Sequence, residues 1–126
     1  MVLRLITLSI FLYSTVYSQN FMLKDVTNVE KDTIYSTKDI SLVTGLVLDY
    51  FENGMIKLYA EYKNGLKNGE FKKWHSNGQL IFKGNYIDGV KDGVYEEFDI
   101  YGKKILKIKY NEGIVLWEKD YTEKYR

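Results

Sequence analysis

Few side chains in this sequence have the type and spacing that catalysis needs. His75 is the only histidine, and it stands beside Ser76. A base must face the nucleophile it activates, whereas neighbours along an extended chain point to opposite faces. No glycine-flanked elbow surrounds the serine, so both residues are read as flanking a turn at Asn77-Gly78. Two carboxylate pairs exist. Glu96 and Glu97 are adjacent and diverge in a strand, while Asp88 and Asp92 fall in a glycine-bearing loop. An inverting glycosidase holds its carboxyls about 6.5–9.5 Å apart across a cleft, and nothing here marks one. A Ca²⁺ loop supplies oxygens at alternating positions, and Lys91 interrupts the Asp88–Asp92 run. Absence of cysteine removes thiolate nucleophiles, thiolate metal sites and disulfides together. No catalytic, cofactor-binding or metal-binding residue is assigned, and the chain is read as non-enzymatic.

What the sequence offers instead is aromatic surface. It holds 12 Tyr, 6 Phe and 2 Trp with no Pro, a bias that favours strands. Tyr50, Trp74 and Phe98 recur at a step of 24 residues, as do Tyr62, Tyr86 and Tyr110, and Val47, Phe71 and Tyr95. Rings one period apart are expected to stack into a ladder, each cross-strand pair contributing ~0.2–1 kcal/mol. A single sheet has a second face to cover. An open row of rings larger than a few hundred Å² marks a contact surface. Tyr50, Tyr62, Trp74, Tyr86, Phe98 and Tyr110 are therefore the candidate binding face.

The elements that position these rings follow from the glycines. Gly45, Gly69 and Gly93 form one series of step 24, Gly54, Gly78 and Gly102 a second, and Gly65, Gly89 and Gly113 a third. Coincidence at ordinary glycine usage has odds of roughly 10⁻⁷ before allowing for choice of period and phase. The chain thus carries three tandem copies of a hairpin unit over residues 45–116. Asn53-Gly54 and Asn77-Gly78 suit a two-residue hairpin turn with positive φ at both centres. Asn64-Gly65, Asp88-Gly89 and Glu112-Gly113 read as the return turns, closed by Gly69 and Gly93. Tyr101-Gly102 departs from the pattern, because Tyr disfavours positive φ, so a wider or bulged turn is expected there.

Between turns the apolar pattern has period 2. Ile56, Leu58, Ala60 and Tyr62 share one face, as do Leu80, Phe82, Gly84 and Tyr86, and then Lys104, Leu106, Ile108 and Tyr110. In the first strand of each copy the core residues sit three apart, Val47 and Tyr50 for example, which predicts a bulge. The fold expected is all-β, an elongated antiparallel meander in a single twisted sheet, with residues 114–121 adding a seventh strand and 117–126 forming a cap or tail. Residues 19–44 form an N-terminal segment with a partial repeat. Within it 33–37 read as a degenerate strand and 19–32 carry little pattern, so loose order is expected there.

Residues 1–18 read as a signal peptide. Met1–Arg4 gives a positive start and Leu5–Val16 an apolar stretch, shorter than the ~18 residues a membrane span needs. Cleavage is expected between Ser18 and Gln19, giving a secreted or periplasmic protein. Charge is balanced at +1 and alternates in sign, so nucleic acid is not an expected partner.

The run Gly45-x₄-Tyr50-x₂-Asn53-Gly54, then Tyr62-x-Asn64-Gly65-x₃-Gly69, resembles the MORN repeat in its bacterial variant of about 24 residues. A second copy supplies Gly69, Trp74, Asn77, Gly78, Tyr86, Asp88, Gly89 and Gly93. A third departs at Tyr101 and has Trp117 in place of the closing glycine. The resemblance implies an elongated antiparallel sheet that serves as a protein-binding or lipid-contacting scaffold. Similar bacterial proteins are labelled YwqK-type antitoxin components, which implies a toxin as one class of partner. The expected partner is a protein, with membrane or glycan contact as the other option. No cofactor is implied.

Overall fold

A computed structural model describes residues 19–22, 26–30, 33–36 and 41–125. The expected signal peptide lies outside the described residues. These residues form β1 (Gln19–Met22), β2 (Val26–Glu30), β3 (Thr33–Ser36), β4 (Gly45–Tyr50), β5 (Ile56–Lys63), β6 (Leu66–Trp74), β7 (Leu80–Ile87), β8 (Val90–Lys91), β9 (Gly93–Phe98), β10 (Lys104–Asn111) and β11 (Ile114–Asp120). A short 3₁₀ turn, Thr122–Tyr125, follows. Strands β4 to β11 form the expected meander, each antiparallel to the next, with the two-residue β8 beside β7.

The N-terminal segment differs from its expectation. Residues 19–22 are a strand that runs parallel to β4, placing Phe21 opposite Val47, and 26–30 pair with 33–36 in a separate hairpin. The strand expected over 33–37 is thus present as β3, but it pairs with β2 and does not join the repeat sheet. β1 and β2, in the stretch expected to be loosely ordered, have no 24-residue pattern to announce them. The hairpin is held over one sheet face by backbone bonds from Ile34 N–H to the Gly65 carbonyl, 2.8 Å, and from Val43 N–H to the Ile34 carbonyl, 3.2 Å. Beneath it Ile34, Val43, Val47 and Ala60 form the buried core, edged by Phe21, Tyr62 and Phe71. We call this covered side of the sheet the inner face.

The two rows of turns exchange the roles expected of them. Positive φ at both centres occurs at Asn64-Gly65 (50° and 78°), Asp88-Gly89 (48° and 82°) and Glu112-Gly113 (49° and 81°), so these are the two-residue hairpins. In the other row only the glycine has positive φ: Gly54 N–H donates to the Phe51 carbonyl and Phe51 N–H to the Met55 carbonyl. This is a longer turn followed by a left-handed glycine. Asn53 and Asn77 are there for their side chains. Asn53 Oδ1 accepts from Met55 N–H and its Nδ2 donates to the Ser76 carbonyl of the next copy. Asn77 repeats both bonds to Gln79 and Ile100. Tyr101 consequently needs no positive φ, and the third turn keeps the form of the others, with Asp99 Oδ1 accepting from Tyr101 and Lys103 N–H.

Gly69 and Gly93 do not close loops either. Gly69 lies within β6 at φ 120°, where the register slips: Tyr62 faces Lys67, but Ala60 faces Phe71, so two residues of β5 pass four of β6. The register does slip where the first strands end, between Asp49 and Tyr50 and between Lys73 and Trp74. The bulge expected in the first strands lies in the second ones, however, where Lys57 of β5 and Ile81 of β7 are the extra residues.

Candidate functional site

Successive cross-strand partners share a face. On the inner face one row runs Val47, Ala60, Phe71, Gly84 across β4 to β7, and Tyr95 pairs with Ile108 farther on. Phe82 stands between Phe71 and Tyr95, its ring stacked on both at 5.4 and 5.5 Å. Tyr86 meets Phe71 edge-on at 5.7 Å, and Tyr110 meets Tyr95 at 6.4 Å. Gly84 makes room for this: a Cβ there would lie 2.6 Å from Tyr95 Cδ2. Lysines close the ring pairs from above. Lys67 Nζ lies 4.8 Å from the Phe71 ring and 5.2 Å from Tyr86, and Lys91 Nζ 4.3 Å from Tyr95 and 5.0 Å from Tyr110. Burial, with Glu97 nearby, pushes the Tyr95 phenol well above its usual range.

The six candidate ring residues therefore divide. Tyr62, Tyr86 and Tyr110 are half-buried inner-face residues, Tyr62 against the core and the other two on the ring ladder. Tyr50, Trp74 and Phe98 lie at the other end of the first strands, Tyr50 exposed and Trp74 and Phe98 half-buried, with Lys104 Nζ 5.8 Å from the Phe98 ring. The ladder runs through Phe82, which belongs to none of the ring series; only its place on the alternating face pointed to it. Lys67 and Lys91 also stand 24 apart and carried a signal that composition hid.

The outer face is polar. Its central row reads Leu48, Tyr59, Lys72, Lys83, Glu96, Lys107, Lys119 across seven strands. Tyr59 donates to Glu61 Oε1 at 2.7 Å, and that bond, with burial, pushes its phenol up to about 12. Glu96 is buried, and Lys83 at 3.0 Å, Lys104 and Lys107 at 3.6 Å converge on it. Burial works to raise its carboxyl, but hydrogen bonds and charge from Lys104 and Lys83 outweigh that and hold it at about 2.

The last strand breaks the pattern. At β10 and β11, Tyr110 faces Val115 and Lys109 faces Trp117, so one residue passes two. Trp117 occupies the position of Gly69 and Gly93, and cannot make their wider slip at positive φ. Ile108 is consequently paired with Glu118, where the earlier copies would put Lys119. One residue of register flips the side chains between faces. Glu118 and Asp120 end the inner rows, and Trp117 lies on the outer face beside Lys109. All of β11 is exposed: Ile114 at 67%, Val115 at 48%, Leu116 at 58% and Trp117 at 45%.

His75 holds an ordinary place, its N–H on the Gln79 carbonyl and its carbonyl accepting from Gly78, as Phe51 does one copy earlier. Among the described residues no group of three or more His, Cys, Asp or Glu is arranged to hold a metal ion. None of their helices is long and apolar enough to cross a membrane.

A sheet of tandem hairpins whose rings and turn bonds recur every 24 residues defines a β-repeat module. The model of the MORN repeat variant matches two stretches of the chain, residues 43–64 and 67–88. The third copy, built of β9 and β10 with the same turn bonds, lies outside those matches. MORN repeats are non-catalytic modules that bind proteins or membranes. No curated protein and no solved structure shows a significant match.

Proposed function

We propose that the mature domain, exported and cleaved between Ser18 and Gln19, is a protein-binding scaffold of the cell envelope or exterior with no catalytic activity. The observation that carries this reading is β11, whose Ile114, Val115, Leu116 and Trp117 are all exposed on consecutive positions. Such a run on a sheet edge is a contact surface or an aggregation hazard. The full chain should capture a protein from an envelope extract. A folded variant carrying Ile114→Ser, Leu116→Ser and Trp117→Ser should lose it. A second variant, Tyr50→Ser with Trp74→Ser and Phe98→Ser, tests the ring row at the opposite end of the strands. Unchanged capture by both variants would end the reading. Mass spectrometry of the exported product should find Gln19 at its start.

An immunity role of the YwqK kind is the form of this reading in which the captured protein is a toxin of the envelope, and a toxin recovered in that capture would support it. Membrane contact has its own observation, the ammonium groups of Lys67 and Lys91 over inner-face rings. If it holds, the chain floats with anionic vesicles at low salt, and Lys67→Gln with Lys91→Gln abolishes flotation.

A further inference from the structure

We propose that the outer face between β6 and β11 docks an extended acidic segment of a partner protein, its carboxylates lying along a cross-strand row of lysines. This rests on the protein-binding reading above and narrows it. The row contains Lys72 on β6, Lys83 on β7, Lys107 on β10 and Lys119 on β11, with Glu96 of β9 at its centre. Neighbouring strands lie about 4.8 Å apart, so five strands carry the row over roughly 19 Å.

Two of its pairings set like charges directly opposite: Lys72 faces Lys83, and Lys107 faces Lys119. That arrangement destabilises a sheet. Glu96 relieves part of it, drawing in Lys83, Lys104 and Lys107, and Glu70 pairs with Lys72 at 2.6 Å. Lys109 adds a sixth lysine in the adjoining row. Six lysines against Glu70 and Glu96 leave an excess of four positive charges on this part of one face, in a chain whose whole net charge is +1.

The adjoining row says what kind of anion fits. Lys109 stands between Val94 and Trp117 in direct register, and these are 39% and 45% exposed. An apolar–cationic–apolar sequence of side chains suits a peptide that places an acidic residue between apolar ones. A phosphate polymer offers nothing to Val94 or Trp117 and meets the Glu96 carboxylate at the middle of the row. Beside the row lies a shallow depression of about 240 Å³ lined by Glu70, Lys72, Lys83, Asn85, Val94 and Glu96, its carboxylates leaving it open to an apolar side chain from such a peptide rather than to an acidic one.

The probe is a fluorescein-labelled peptide of alternating Glu and Leu, titrated with the full chain and read by anisotropy, with its Gln–Leu counterpart as control. The Glu peptide should bind, weaken as salt rises, and bind at least ~10-fold more tightly than the control. Lys109→Glu with Lys119→Glu, neither of which contacts Glu96, should reduce affinity a further ~10-fold or more while the circular dichroism stays unchanged. Lys73→Gln, an exposed lysine of the inner face opposite Leu58 and Phe82, should leave it unaltered. Equal loss from the inner-face variant, equal binding of the control, or tighter binding of anionic vesicles or a sulfated glycan through the same lysines would overturn the proposal. If capture from the envelope extract survives Lys109→Glu with Lys119→Glu, this proposal falls and the broader reading stands. If capture fails altogether, the broader reading falls.

Discussion

Val43 and Val115 occupy the same place in the repeat, three periods apart, and meet opposite fates. Val43 is fully buried under Ile34 and the β2–β3 hairpin, whereas Val115 is 48% exposed. Between them Lys67 and Lys91 hold that position over pairs of rings. One end of the sheet is thus a dry core, the middle a ring ladder under lysines, and the far end an open strand finished with Glu118 and Asp120. A repeat unit does not fix the burial of its residues. What covers the face does.

The comparison breaks most sharply with the same substitution at both ends. Val43→Asp places an unpaired carboxylate in the core and should cost on the order of 3 kcal/mol or more, a large share of the stability of a small domain. Val115→Asp should change stability by no more than about 0.5 kcal/mol. Urea denaturation of the two variants measures the difference, and equal costs would mean that the hairpin does not cover Val43. In the middle, Gly84→Val must displace the Tyr95 ring and should cost about 1–3 kcal/mol, with the near-ultraviolet tyrosine signal altered.

Smaller effects sharpen the contrast. Asn77→Ala removes a bond within its turn and one to the next copy, and should cost about 1 kcal/mol by thermal denaturation. Tyr101→Asn supplies the same side chain where no further turn follows among the described residues, so a change under about 0.5 kcal/mol is expected. The last effect is one of pH. Glu96 has a folded value of about 2, below the ordinary ~4.3 of an unfolded glutamate, so its stabilisation is present above ~4.3 and lost as pH falls towards about 2. Glu96→Gln should flatten the acid-denaturation curve in that window. The lysines that hold Glu96 are partly exposed, which keeps the effect small.

Much of this architecture was legible in the glycine spacing. Period and strand order follow from it, and the closing strand expected over 114–121 is β11. The register slips were foreseen from the spacing of the core residues, but on the wrong strand of each pair. Turn type was not, because Asn-Gly serves two geometries: Asn64 uses its tolerance of positive φ, whereas Asn53 uses its amide to tie one copy to the next. Of the β2–β3 hairpin only β3 left a signal, the strand read over 33–37; β2 and the covering of the core did not, since burial of Ile34 depends on a partner face distant in sequence. For the site, the six periodic rings were visible but their division was not. Tyr86 and Tyr110 have inner-face partners that only cross-strand register reveals. The lysine row depends on register throughout. Lys83 and Lys107 stand one 24-residue period apart, but the same step from Lys72 reaches Glu96 and Lys119 is aligned only by the slip at Trp117, so the period alone does not assemble the row.

The bonds that recur from copy to copy have one more consequence. Gly65 N–H reaches the Val43 carbonyl, Gly89 that of Lys67 and Gly113 that of Lys91, each at 2.8 Å, and Asn53 and Asn77 reach the copy that follows theirs, so each unit is tied to its neighbours alone. A molecule joined in this way behaves as a one-dimensional lattice, in which opening starts at a free boundary and moves site by site. Hydrogen exchange should therefore grade along the sheet, fastest at Gly113, slower at Gly89 and slowest at Gly65, where the boundary is sealed.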